Sequence, residues 1–311
     1  MRVNKLQNGL QSCCTELSAR EDLEWVLDLP LRSYSYFKAG GPADLACFPK
    51  SEQGLLACLR AARANQLPLT ILGRGSNVLI SDKGVRGMVL LLRDNYARIQ
   101  RKGKFWLAEA GAPLYEMGAL LAKESLTGGE FLVGIPGSAG GASYMNAGAY
   151  EGSMADLVEA VSFINEDLEV QIIDKAQCDF AYRHSYFMDH PGVISQVYFS
   201  GKAGKQEEIY AKIFEIQKRR RKAQPLEMAS GGSSFKRPQG AYAAKLIADS
   251  GLKGKRWDQV GVSAKHSGFI VNYGDASASE IYAAFQRVRQ EVLDQTGYLL
   301  EMEVKRIGEW D

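Results

Sequence analysis

Hydrophobic positions along the chain alternate between two periods, and the switches outline the elements. Over SEQGLLACLRAARAN (51–65), Leu55, Leu56, Leu59 and Ala62 recur at helical spacing, which predicts a helix with one buried face. LPLTILG then reads as a short buried strand, GRGSNVLIS as a glycine turn feeding a second strand, and GMVLLL as a third. FWLAEAG predicts a strand and LYEMGALLAKES a helix, with Leu114, Met117, Leu120 and Leu121 aligned. LVEAVSFIN, LEVQII and GVISQVYFS are strand-like, so residues 104 to about 201 read as β-rich. The charged stretch KQEEIYAKIFEIQKRRRKAQ predicts a helix stopped by Pro225. Beyond it lie the helix-like AYAAKLIADSG, the strand-like SGFIVNYG, a long helix SASEIYAAFQRVRQEVLDQTG and the alternating LLEMEVKRIG. Residues 1–20 are polar with few apolar anchors, so a loose lead-in or a peripheral helix is expected there. Mixed helices and strands in this order read as α+β or α/β.

At 311 residues the chain is long enough for two domains or three smaller ones. A net charge of +2 gives no basic surplus, which argues against a nucleic-acid protein. No run of about 18 apolar residues occurs and the N-terminus lacks a signal-like apolar core, so a cytoplasmic protein without membrane insertion is expected. The five cysteines are odd in number and form no C-x-x-C, which suits a reducing compartment. Only three histidines occur, none at helical i, i+4 spacing, so no metal site is expected.

Two glycine segments are candidates for ligand contact. ILGRGSNVLIS places Gly73, Arg74, Gly75, Ser76 and Asn77 between two strands, where main-chain N–H groups can cradle a phosphate. Alone it reads as well as a tight connection, because it lacks the third glycine of a dinucleotide fingerprint. GIPGSAGGASYMNAGAY (134–150) is uncharged and small, which lets main chain press against a large ligand. YRHSYF surrounds Arg183 with aromatics, either to orient the guanidinium toward an anion or as a strand-edge arginine packing on rings. In LLEMEVKRIG, Glu301 and Glu303 share a face if the segment is a strand. GGSSFKRP offers two serines in no known nucleophile pattern, since Phe235 stands where an elbow needs glycine.

SYFKAGGPAD, LGRGSNVLISD, GIPGSAGGASYMNAGAY, YRHSYF, QPLEMASGGSSFKRP, AAKLIADSGLKG, VGVSAKHSGFIVN and LEMEVKRIG occur in the order of one family. Over residues 20–311 the chain resembles the UDP-N-acetylenolpyruvoylglucosamine reductases, flavoenzymes of peptidoglycan precursor synthesis. The resemblance implies an FAD-binding fold of the vanillyl-alcohol-oxidase (PCMH) type. After a lead-in at 1–20, two α+β subdomains (21–95 and 96–204) would hold the flavin, and a C-terminal α+β domain (205–311) the substrate. It implies non-covalent FAD, held by Gly73, Arg74, Gly75, Ser76 and Asn77 and by Gly134, Ile135, Pro136, Gly137, Gly140, Gly141 and Asn146. NADPH is the implied hydride donor, and the hydride reaches the β-carbon of UDP-N-acetylglucosamine enolpyruvate.

Charge then appears on the α-carbon and carboxylate, which calls for fixed donors and for a proton from one face. By position the resemblance gives these roles to Arg183 on the carboxylate, to a protonated Glu303 as second donor, and to Ser233 as proton source. Ser234 falls where the family accepts other residues, so it reads as packing or local hydrogen bonding and Ser234→Ala is expected to be mild. The short stretch between Arg183 and residue 205 resembles the branch without an inserted tyrosine loop (type II). There Arg220 is implied in a diphosphate contact, with Lys236 and Tyr182 also facing substrate. A monomer is expected. Two other readings stand beside this one: an alcohol or hydroxy-acid oxidase of the same fold, and a nucleotide-binding regulator without catalysis.

Overall fold

The structure is a computed structural model that describes residues 2–310. It falls into two compact units, each built from separated stretches of chain. The first contains the residues up to Val26, Ala46–Arg74 and Gly87–Arg219. The second contains Leu27–Leu45, Gly75–Arg86 and the residues from Arg220 onward.

Helix α1 (Arg2–Leu17) opens the chain, so the helix, of the two alternatives, is what forms there. It buries Cys13 and Leu17 and packs against α2 (Glu52–Ala64). Ser51 caps α2 by accepting from the Gly54 N–H, and the buried face carries Leu55, Cys58, Leu59 and Ala62. Cys13 and Cys14 of α1 lie buried with Cys47 and Cys58; burial pushes the Cys13 thiol up to about 12, and these thiols are inert packing. Strands β1 (Leu23–Pro30), β2 (Pro42–Pro49), β3 (Leu69–Leu72), β4 (Val78–Ile80) and β5 (Val85–Leu91) follow. One sheet has the order β1-β2-β5-β3, with β3 parallel to β5 and Leu69 opposite Met88. The first two strands carry no run of alternation long enough to be foreseen.

The β-rich middle is a five-stranded antiparallel sheet. Its order is Val170–Asp174, Val158–Asn165, Gly192–Phe199, β7 (Phe105–Glu109) and β6 (Ile99–Lys102). Helix α3 (Leu114–Lys123) packs Leu114, Met117 and Leu121 inward beside the turn Glu130–Gly134. The small-residue segment that follows contains a one-and-a-half-turn helix, α4 (Ala139–Tyr144), which its glycines concealed. Ser138 supplies the cap by accepting from the Gly141 N–H.

In the second unit the long helix Ala278–Thr296 turns Ile281, Ala284, Phe285, Val288 and Val292 into a core shared with Phe37, Leu79, Phe235, Ile247, Val262 and Leu300. A capping box of Ser277 and Glu280 starts this helix and Gly297, in the left-handed conformation, ends it. Strands Arg256–Trp257, Val260–Val262 and Ile270–Asn272 form a small antiparallel sheet beside it. LLEMEVKRIG is not one strand. Only Lys305–Ile307 is, paired in parallel with β4, with Lys305 opposite Val78. The chain bends at Val304, so Glu301 stays exposed while Glu303 and Val304 are both buried, and the expected shared face of the two glutamates is lost. Among the described residues no helix is long and apolar enough to cross a membrane.

Candidate active site

In the first unit the two glycine segments meet. A Cβ added at Gly73 would lie 2.5 Å from the Ser138 hydroxyl, the residue that caps α4. Gly140 is equally tight, since a Cβ there would stand 2.8 Å from that of Ala110. These glycines are therefore required by chain-on-chain packing. The main-chain N–H groups of Ala139 and Gly140 donate to the carbonyls of Ala112 and Ala110 at 2.8 and 2.9 Å, so the fold itself uses those two amides. The strip in front of them is more open: Gly134, Ile135 and Gly137 are half-buried and Pro136 is exposed. Its start is held by the buried Glu130, whose carboxylate accepts from the Thr127 hydroxyl (2.6 Å) and the Gly128 N–H (2.9 Å).

Arg74, between Gly73 and Gly75, pairs with Asp94 at 2.6 Å. The hydrogen bond from Arg74 holds the Asp94 carboxyl below its ordinary range. Arg74 Nε and the Ser143 hydroxyl on α4 are buried without a hydrogen-bond partner among the described residues. The unanswered Arg74 Nε, next in sequence to the Gly73–Ser138 contact, fits a ligand bearing acceptor oxygens.

Asn146 is a buried brace. Its Nδ2 donates to the Ala181 carbonyl at 2.8 Å and its Oδ1 accepts from the Ala155 N–H at 3.0 Å. That brace fixes the segment bearing Arg183. The strand-edge reading of Arg183 does not hold, because the residue sits in a turn bridged by Ala181 and His184, with φ +54. Its guanidinium donates to the Gly148 carbonyl at 3.3 Å and lies 5.1 Å from the exposed Tyr182 ring.

The second unit carries Ser233 and Glu303. Residues 234–236 run antiparallel to 301–303: Glu303 N–H donates to the Ser234 carbonyl at 3.0 Å, Phe235 bridges Met302, and Lys236 N–H donates to the Glu301 carbonyl at 2.8 Å. The adjacent serines part ways here. Ser233 is exposed, while Ser234 is buried and its hydroxyl accepts from the Ile270 N–H at 2.7 Å. Gly232 permits the turn before them with φ +77. Lys236 Nζ pairs with Glu301 at 2.5 Å.

Two loop residues reach this ladder from Gly75–Ile80. Asn77 Nδ2 donates to the Glu303 carbonyl at 3.3 Å, and the Asn77 carbonyl accepts from the Lys305 N–H at 3.0 Å. Gly75 is locked by φ +66 and by the Tyr34 carbonyl, 1.9 Å from where its Cβ would be. In the basic run 218–222, Arg220 alone is buried, and its four neighbours are exposed as a solvated helix end requires. Sequence reasoning had no signal for Ser138, which caps α4 and crowds Gly73 from 65 residues away; Ser234 packs as read, but its hydrogen bond is not local, since Ile270 lies 36 residues on. Among the described residues no cluster of His, Cys, Asp or Glu is arranged to hold a metal ion.

Comparison with known proteins places these features in a family. Residues 224–307 match the model described as UDP-N-acetylenolpyruvoylglucosamine reductase, C-terminal domain, and residues 43–173 match the model for an FAD binding domain. The chain is 41% identical to the UDP-N-acetylenolpyruvoylglucosamine reductase of Lactiplantibacillus plantarum over 90% of this chain and 92% of that protein. It is 39% identical to that of Clostridium kluyveri over 97% of this chain and 99% of that protein. The crystal structure of UDP-N-acetylenolpyruvylglucosamine reductase from Thermus caldophilus superposes with a TM-score of 0.77 at 33% identity, covering 92% of this chain and 98% of that one.

Proposed function

The chain belongs to the UDP-N-acetylenolpyruvoylglucosamine reductase family, and from that premise we propose how its own residues carry the family's reaction. It is an FAD-dependent oxidoreductase of peptidoglycan precursor synthesis with the α+β, FAD-binding fold its sequence implies. Its substrate is the small UDP-sugar enolpyruvyl ether, with NADPH as the source of reducing equivalents.

Gly73–Asn77 and Gly134–Gly137, with Gly140, Gly141 and Asn146 behind them, would hold the FAD, and Arg74 Nε is a donor left over for its polar groups. Once reduced by NADPH, FAD bound there would supply the hydride for the β-carbon of the enolpyruvyl group. Arg183 meets the substrate carboxylate as charge builds there; its left-handed backbone and its bond to the Gly148 carbonyl keep the guanidinium in one orientation. Glu303, buried, is held by its own main chain and serves that carboxylate as a donor in the protonated form. Ser233 delivers the proton to the α-carbon from an exposed position on a turn whose other serine is locked. Arg220, Lys236 and Tyr182 complete the contacts to substrate. The enzyme is of the branch without the tyrosine loop and acts in the cytoplasm as a monomer.

One observation carries this reading: Ser233 and Glu303 stand on one short antiparallel ladder, with Ser234, Phe235 and Lys236 fixing its register. An oxidase of the same fold needs no such pair. The deciding experiment mixes the reduced enzyme with UDP-N-acetylglucosamine enolpyruvate in a stopped flow. Wild type should reoxidise its flavin, and Ser233→Ala should do so at least about a hundredfold more slowly. An unchanged rate in the variant removes Ser233 from the chemistry, and no reoxidation in wild type removes the reading.

A further inference from the structure

An arginine stands where a turn favours glycine. The turn Ala181–His184 is closed twice, the His184 N–H donating to the Ala181 carbonyl and the Ala181 N–H to the His184 carbonyl, each at 3.2 Å. Of its two central residues only Arg183 has a positive φ, +54, which is the sign pattern of a type II turn. That position takes glycine or asparagine, because a Cβ in the left-handed region is crowded by its own backbone. A half-buried arginine there persists only where its surroundings over-determine the conformation, and such strain collects at working sites.

Two side chains tie this turn to the end of α4. Asn146 Nδ2 donates to the Ala181 carbonyl at 2.8 Å, so that carbonyl takes a second donor. Ser185 is the other: it is fully buried, and its hydroxyl donates to the Tyr144 carbonyl at 2.7 Å. Tyr144 is the last residue of α4, where a carbonyl has no partner within the helix. Ser185 thus anchors the chain two residues beyond Arg183 to the helix that carries Gly140 and Gly141. The next residue closes the base of the loop, the Tyr186 N–H donating to the Cys178 carbonyl at 2.8 Å.

We propose that Ser185 is a positioning residue for the reaction, a proposal that rests on the reading of Arg183 above. Ser185 does not touch the substrate. Its hydroxyl holds Arg183 in the left-handed conformation that aims the guanidinium at the substrate carboxylate. Without that hydroxyl Asn146 alone ties the turn to α4. Arg183 then relaxes toward negative φ, and its guanidinium leaves the Gly148 carbonyl. The orientation matters most as charge builds on the carboxylate, so the loss falls on kcat more than on KM.

A double-mutant cycle tests this, read as reoxidation of the reduced, FAD-loaded enzyme by UDP-N-acetylglucosamine enolpyruvate. Arg183→Ala and Ser185→Ala should each slow reoxidation, Ser185→Ala by at least about tenfold. The double variant should be no slower than Arg183→Ala. Steady-state assays of Ser185→Ala should show the loss in kcat, with the flavin content of wild type. Effects that multiply in the double variant overturn the proposal, because the serine then acts on something other than Arg183. A loss confined to KM, an unchanged rate in Ser185→Ala, or a variant that purifies without flavin also overturns it. An unchanged rate in Arg183→Ala removes the Arg183 reading itself. Arg183→Gly gives a readout apart from activity. Glycine adopts the left-handed turn without strain, so this variant should lose the rate yet melt no lower than wild type. A lower melting temperature would show that the arginine side chain sets the turn, and would overturn the role of Ser185.

Discussion

The side-chain amide of Asn77 donates to the main-chain carbonyl of Glu303 at 3.3 Å, joining positions 226 residues apart. The bond ties the glycine turn before β4 to the backbone of the proposed carboxylate donor, and the parallel pairing of Val78 with Lys305 extends it. Asn77→Ala should lower stability by about 1 kcal/mol, the worth of one partly buried hydrogen bond. Thermal melts of the apoprotein would measure it, and an unchanged midpoint would show that the strand pairing alone sets this junction.

Ser233 and Ser234 should separate by readout. Ser233→Ala leaves the fold intact, since the side chain is exposed, and slows reoxidation of the reduced enzyme by substrate as stated above. Ser234→Ala keeps that rate but strands the Ile270 N–H in the core. Its expected mildness therefore applies to chemistry and not to stability, which should fall by about 1–3 kcal/mol in denaturant unfolding.

Two glycines with the same left-handed backbone should respond very differently to alanine. At Gly232 nothing lies within 4 Å of an added Cβ, so only the conformational cost of about 1–2 kcal/mol applies. At Gly75 the Cβ would meet the Tyr34 carbonyl at 1.9 Å, a main-chain atom that cannot swing away. Gly75→Ala should cost about 3 kcal/mol or more. Flavin content on purification together with melting temperature would rank the two variants, and equal effects would contradict the crowding at Gly75.

Stability should fall as the solution is acidified below neutrality, in part through His266. Burial holds its pKa below the ordinary value of 6.5, with the charge of Lys253 acting in the same direction. Its Nδ1 accepts from the Gly268 N–H at 3.1 Å, which needs the neutral ring. Above pH 6.5 both folded and unfolded forms are neutral and nothing is lost. As the pH drops below 6.5 the unfolded chain takes up the proton first, so stability declines until the folded pKa is reached. Unfolding midpoints at pH 7.5 and 5.5 should differ less in His266→Asn than in wild type, and an equal difference would assign the slope to other groups.

The helices at 52–64, 114–123, 206–223 and 278–296 were readable because each repeats apolar residues at one spacing over several turns. Strands at 158–165, 170–174 and 192–199 were readable from their apolar, branched content. Helix α4 was not, since Ala, Gly and Ser give no amphipathic signal and its cap, Ser138, looks like any loop serine. LLEMEVKRIG failed as a strand for a tertiary reason. β4 holds only Lys305–Ile307, while Phe235 and Lys236 hold residues 301 and 302, and the chain bends between the two partners.

By itself the sequence determined the family, the cofactor class and the order of the motifs, because those depend on residue identity and spacing along the chain. Only the tertiary structure decided which serine of GGSSFKRP is locked and which is free, and which arginine of the run 218–222 is buried. Adjacent residues share nearly the same sequence context. Their difference arises from partners such as Ile270 and Glu303, tens of residues away, which the chain meets only when it has folded.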